Sequence, residues 1–171
     1  MSKLISSEII AQRIFVIRGH KVMVDRDLAE LYDVRAIALR QQVKRNLERF
    51  PKDFMFQLTE KEADELITNC DRLSLLKHSP TTPYVFTEQG VAMLSSILKS
   101  KKAIQVHIQI MRTFAQLKEF LLAHKELALR LDALERKFGE HDDKIRVVFE
   151  AMRELLDPPQ EASKPKIGFH P

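Results

Sequence analysis

Apolar residues recur along this chain with two different periods, and each change of period marks an element. Ile14-Phe15-Val16-Ile17 and Lys21-Val22-Met23-Val24 flank Arg18-Gly19-His20, two β-branched runs around a glycine, which predicts a β-hairpin. A helical period takes over at Asp25, a residue suited to cap the helix start, and Leu28, Leu31 and Tyr32 form its apolar face. Asp33-Val34 makes a turn. A second helix is expected from about Ala36 to Arg49, with Leu39, Val43, Asn46, Leu47 and Phe50 on its inner side, and Pro51 stops it. Asp53 to Leu58 reads as a strand, and Thr59-Glu60-Lys61-Glu62 as a capping box opening a further helix. Asn69 to Pro83 reads as the most mobile loop. Tyr84 to Phe86 reads as a strand, and Glu88 to Leu98 as a helix capped by Thr87.

After Ser100 the pattern becomes a heptad. With Ala103 at position a, the a series is Ala103, Ile110, Leu117, His124, Leu131, Phe138, Ile145 and Met152. The d series is Val106, Thr113, Phe120, Leu127, Leu134, His141, Val148 and Leu155. Only Thr113, His124 and His141 are not apolar, so a coiled coil is expected, with Leu117, Phe120, Leu127, Leu131, Leu134 and Phe138 as its dimerisation seam. Arg130 and Lys137 at g facing Glu135 and Asp142 at e favour a parallel homodimer. Phe114 and Leu121, at e, can pack on the globular domain instead. Gly139 offers an alternative: a bend that folds the helix back as an intramolecular hairpin. Protonation of His124 and His141 near pH 6 is expected to loosen the seam. Asp157 to Pro171 holds four prolines and reads as disordered, with Ile167-Gly168-Phe169 as an apolar patch.

The predicted fold class is α+β: a small helix-turn-helix, winged-type domain with a short β-hairpin and strands at about 1–100, a long C-terminal helix forming a coiled coil at 101–156, and a Pro-rich tail at 157–171.

Composition narrows the function. The 171 residues are 44% hydrophobic and 30% charged, and no apolar run reaches the roughly 18–20 residues of a membrane span. The single cysteine, Cys70, excludes an internal disulfide, so a cytoplasmic location is expected. Net charge is +4, and it is clustered. Arg35, Arg40, Lys44, Arg45, Arg49 and Lys52 face only Glu48 in their segment, and Lys99 to Lys118 contains no acid. Two such runs point to a polyanion surface. There is no Gly-rich phosphate loop, and no histidine has a zinc spacing with Cys70. Ser95-Ser96 lack a base. No enzyme activity, cofactor or metal is expected.

Gln41, Lys44 and Arg45 project from the outer side of the second helix, where they can enter a major groove, with Arg40 and Arg49 on the flanks as phosphate clamps. Arg18 and Lys21 at the hairpin tip can touch backbone phosphate as a wing. The alternative is a protein-interaction module, in which the long helix pairs with a phage or host regulator and the basic face only confers solubility.

The run from Arg18 to Tyr32, the blocks Val43-Lys44-Arg45-Asn46, Glu48-Arg49-Phe50-Pro51 and Phe54-Met55-Phe56-Gln57-Leu58, and Phe86 to Ser95 together resemble the ORF-six-N domain, a relative of the KilA-N domain of phage and large DNA-virus proteins. The resemblance covers about Ile9 to Phe114. It implies a small α+β DNA-binding module of the kind found in phage antirepressors and their bacterial relatives. It also implies that Lys44, Arg45, Asn46 and Arg49 lie in the family's basic block. Ala36 to Gln42 departs from the family pattern, so no DNA target carries over.

Overall fold

The strict alternation of Val22, Met23 and Val24 sets the architecture, because all three are fully buried. A strand whose two faces are both buried must be covered on both sides. The computed structural model describes residues 5–138 and 143–156, the side chains at 138 and 143–146 excepted. A short helix α1 (Ser7–Ala11) leads into β1 (Ile14–Ile17) and β2 (His20–Val24). The helices α2 (Asp25–Tyr32) and α3 (Ala36–Arg45) follow, then β3 (Met55–Gln57), α4 (Glu60–Asn69), β4 (Tyr84–Thr87) and α5 (Glu88–Leu94). The long α6 (Lys101–Phe138) and α7 (Asp143–Leu156) complete the order. The strands form one antiparallel sheet in the order β1-β2-β4-β3.

One sheet face carries Met23, Met55 and Phe86 into a core with Leu28, Leu31, Tyr32, Leu39, Val43 and Phe50. Phe50 meets Phe86 edge to face at 5.9 Å. The other face carries Val22, Val24 and Val85 against Leu58, Ala63, Leu66 and Leu73. So α2, α3 and α5 lie on one side of the sheet, and α4 lies on the other.

The chain divides into two compact units, Met1–Leu117 and Lys118–Pro171. The first extends well past residue 100 for a physical reason. Ala103, Val106 and Ile110, read as coiled-coil seam, are buried in the first unit's core together with Phe114. Thr113, also a seam position, is buried and donates its hydroxyl to the Gln109 carbonyl at 2.9 Å.

In the second unit the single eight-heptad helix is replaced by two helices. Arg153 of α7 lies 2.5 Å from both Asp132 and Glu135 of α6. Along one straight helix, residues 132 and 153 would stand roughly 30 Å apart at about 1.5 Å per residue. So α7 runs back along α6, the fold-back that was the alternative to one continuous rod. Glu135, read as a partner for another chain's Arg130, is held by Arg153 in its own chain. Arg130 pairs with Glu126 at 2.6 Å, one turn away. Leu131 is buried, whereas Phe120, Leu127 and Leu134 are exposed, and so are Val148, Met152 and Leu155 of α7. Phe120 packs on the His124 ring at 4.2 Å. Gly139, His141, Asp142 and the tail 157–171 lie outside the described residues, as does the side chain of Phe138. No described helix is long and apolar enough to cross a membrane.

Five local readings change, one being that α5 ends at Leu94 rather than Leu98. Asp25 is the first residue of α2 rather than its cap. The second helix ends at Arg45, not Arg49. Asn46 Nδ2 donates to the Gln42 carbonyl at 2.9 Å, and Leu47–Arg49 forms a separate 3-10 turn that leaves Leu47 exposed. The strand at 53–58 shrinks to β3. The supposed loop after Asn69 contains a 3-10 segment, Asp71–His78, anchored by fully buried Leu73. The capping box is present: Thr59 and Glu62 bond reciprocally at the start of α4.

Candidate nucleic-acid interface

The turn between α2 and α3 is built by backbone geometry. Asp33 adopts the left-handed conformation at φ 57°. The Val34 N–H reaches the Ala29 carbonyl at 2.9 Å, and the Asp33 N–H reaches Glu30 at 3.1 Å. This double closure ends a helix sharply, and aspartate tolerates the left-handed position better than most residues. Lys102 Nζ fixes the turn from α6 through an ion pair to Asp33 at 2.5 Å.

With α2 and the turn fixed, burial of Leu39 and Val43 determines which way α3 faces. Residues at i, i+4 and i+7 share a helix face, so Ile37, Gln41 and Lys44 form one outward ridge, bordered by Arg40 on one side and by Ala38 and Arg45 on the other. All six are exposed. Lys44, Arg45 and Arg49 form no salt bridge among the described residues, so their charge is unneutralised. Arg40 differs. Its Nε lies 3.5 Å from Asp25 Oδ2 and donates to the Ala36 carbonyl at 3.4 Å. Asp25 is buried and Oδ2 accepts no hydrogen bond; desolvation raises its pKa, an effect that Arg40 partly offsets. Arg35, exposed at the N-terminal boundary of α3, adds a cation that the charge run contained but the site reading did not name.

The hairpin residues separate. Arg18 and Gly19 form the two-residue turn, both at positive φ, as a tight hairpin requires. The Arg18 guanidinium pairs with both Glu62 carboxylate oxygens at 2.7 and 2.8 Å and lies 4.6 Å over the Phe56 ring. The hydrogen bond from Arg18 holds the Glu62 carboxyl down at about 2. Phe56 and α4 belong to the sheet face opposite α3, so Arg18 is directed away from the α3 ridge and its charge is matched. Lys21 alternates with Met23 and shares the α3 side of the sheet.

Asp27 is a structural hub. Its carboxylate takes Arg72 Nε and Nη2 at 3.1 and 3.0 Å, with Arg13 at 3.8 Å, and it is 1% exposed. These contacts tie the 3-10 segment to α2. Its partner Arg72 lies 45 residues away from Asp27, beyond the reach of any local pattern.

Exposure of Ile37 was also missed. The signal was available: its spacing to Gln41 and Lys44 sets it opposite Leu39 and Val43. No curated protein and no solved structure matches this chain. Residues 12–97 match the ORF6N domain, which is half of the chain and contains the hairpin, α2, α3, the sheet and α5. The chain therefore belongs to the ORF6N domain family.

Proposed function

We propose that this protein is a DNA-binding regulator of the phage antirepressor type, which grips duplex DNA through α3. The observation that carries the reading is the outward side of α3, where Lys44 and Arg45, joined by Arg49, carry no acidic partner among the described residues while the helix's other side is locked into the core. Gln41 is at the centre of that ridge, placed for base edges, and the cations around it are placed for phosphate. Membership of the ORF6N family supports the same reading.

The protein acts as a homodimer through the α6–α7 hairpin. Phe120, Leu127 and Leu134 on one helix and Val148, Met152 and Leu155 on the other are exposed at heptad spacing. A second copy of the same stripe interdigitates with it as a four-helix bundle. This replaces a parallel two-stranded rod, whose Arg130 and Glu135 are each paired within their own chain.

The deciding experiment is fluorescence anisotropy with mixed-sequence duplex DNA between 50 and 200 mM salt. Four cations per protomer, Arg35, Lys44, Arg45 and Arg49, doubled in a dimer, give a log–log slope of about −7 and a loss of about ten-thousandfold over that range. The second reading is a protein-interaction module using the same exposed hairpin stripe. Absence of DNA binding at 50 mM salt would overturn the DNA-binding reading and favour this one.

A further inference from the structure

An isoleucine exposed at the N-terminal end of a polar ridge is a local inconsistency. Ile37 is 55% exposed, in the first turn of α3. It shares the outward ridge with Gln41 and Lys44, and Ala38 stands next to it. Among the described residues Ile37 belongs to neither core cluster, and Leu39 and Val43 hold the helix to the core. The first turn of a recognition helix is the part that approaches base edges, whereas its later turns run beside the phosphates. In a major groove, an apolar side chain has one complementary surface: the thymine methyl group. Gln41, one turn further, matches the paired donor and acceptor of adenine N6 and N7.

We infer that Ile37 and Gln41 are specificity-determining residues, and that this protein selects DNA sites in which Ile37 meets a thymine methyl while Gln41 reads a neighbouring adenine. The inference rests on the DNA-binding reading above. Arg35, Arg40 and Lys44 surround the pair, so phosphate contacts fix the register in which the two side chains read. Ile37 and Gln41 contribute little to sequence-independent affinity, because neither neutralises a phosphate.

The test uses the full-length protein and duplexes enriched from a randomised pool at about 100 mM salt. Enriched sites are expected to hold adjacent A·T pairs. Replacing each thymine in turn by deoxyuridine removes only the 5-methyl group. At one position this should weaken the wild type about fourfold, the value of one buried methyl. The same replacement should leave Ile37→Ala unchanged. Gln41→Ala should lose about tenfold on the enriched site and nothing on mixed-sequence DNA. Both positions are exposed, and an unchanged thermal unfolding midpoint controls for folding. Binding with no base preference, or equal sensitivity to deoxyuridine in wild type and Ile37→Ala, overturns the inference and leaves DNA binding standing. A change of oligomeric mass in Ile37→Ala assigns the side chain to a protein contact and also overturns it. No binding to any duplex removes the reading on which it rests.

Discussion

Asp27 shows how a single side chain takes a role invisible in its local sequence. Burial raises its carboxyl, and the hydrogen bonds and charge of Arg72 oppose that rise. Arg72→Ala leaves a buried carboxylate with only Arg13 nearby, so chemical unfolding should report a loss of about 3 kcal/mol. Tyr32 and His107 form a second, half-buried pair, with the Tyr32 hydroxyl 3.1 Å from His107 Nδ1. Burial lowers the His107 pKa from its usual 6.5. The unfolded chain therefore takes this proton more readily than the folded one. Stability from neutral His107 is complete above about pH 6.5 and is lost as pH falls towards the lowered value. A urea midpoint that drops between pH 7.5 and 5.5 in the wild type, and drops less in His107→Gln, is the expected result. Asp25 and Asp27 act in the opposite sense at lower pH, because their raised values make the folded state the better proton acceptor. None of these partnerships was legible in sequence. Asp25 and Asp27 stand where a cap is expected, and only the fold brings Arg40, Arg72 and Arg13 to them.

Elements were legible where the local signal was self-contained. The hairpin, α2, the start of α4 and β4 each carry their own period or cap, and each forms close to where it is expected. The 3-10 segment at Asp71–His78 has no such period; Leu73, buried against the sheet, and Arg72, paired with Asp27, hold it. α3 was legible as a basic amphipathic helix, but its end was not, since Asn46 closes it through a side-chain bond. Because Lys44 and Arg45 point away from the core, Lys44→Ala with Arg45→Ala should weaken DNA binding at least tenfold and leave the unfolding midpoint unchanged. Anisotropy and thermal unfolding on the same sample check both halves. α5 offers a sharper structural test. A β-carbon at Gly90 would lie 2.0 Å from the Phe54 carbonyl oxygen, a backbone atom that cannot swing aside, whereas Gly19 faces open space at φ +75°. Gly90→Ala should cost about 3 kcal/mol through overpacking, and Gly19→Ala only about 1 kcal/mol through backbone strain. Equal losses in chemical unfolding would contradict that packing.

At the scale of the whole molecule, the heptad pattern was read correctly as apolar spacing and incompletely as geometry. Its first turns serve the core, and its last turns fold back, because a repeat of seven does not state which surface will cover it. Fold-back changes what is expected of the assembly. Leu127→Glu combined with Val148→Glu places charge on the exposed stripe of both helices. Light scattering should then fall from the dimer mass to the monomer mass, and the salt slope of DNA binding should halve. A monomeric wild type would remove the bundle.

The burial of Ala103, Val106, Ile110 and Phe114 also bears on how such a protein can be recombined. The family match stops at residue 97, yet the part that folds together continues to Leu117. A gene fusion joined at 100 would leave the front half without the residues that seal its core, and a fragment 1–100 should stay unfolded where 1–117 melts cooperatively. Any lineage that exchanges the segments behind this domain must therefore splice within α6 beyond Leu117, in mid-helix and in phase with the helical turn. The point at which the sequences cease to resemble one another is not the point at which the parts can be separated.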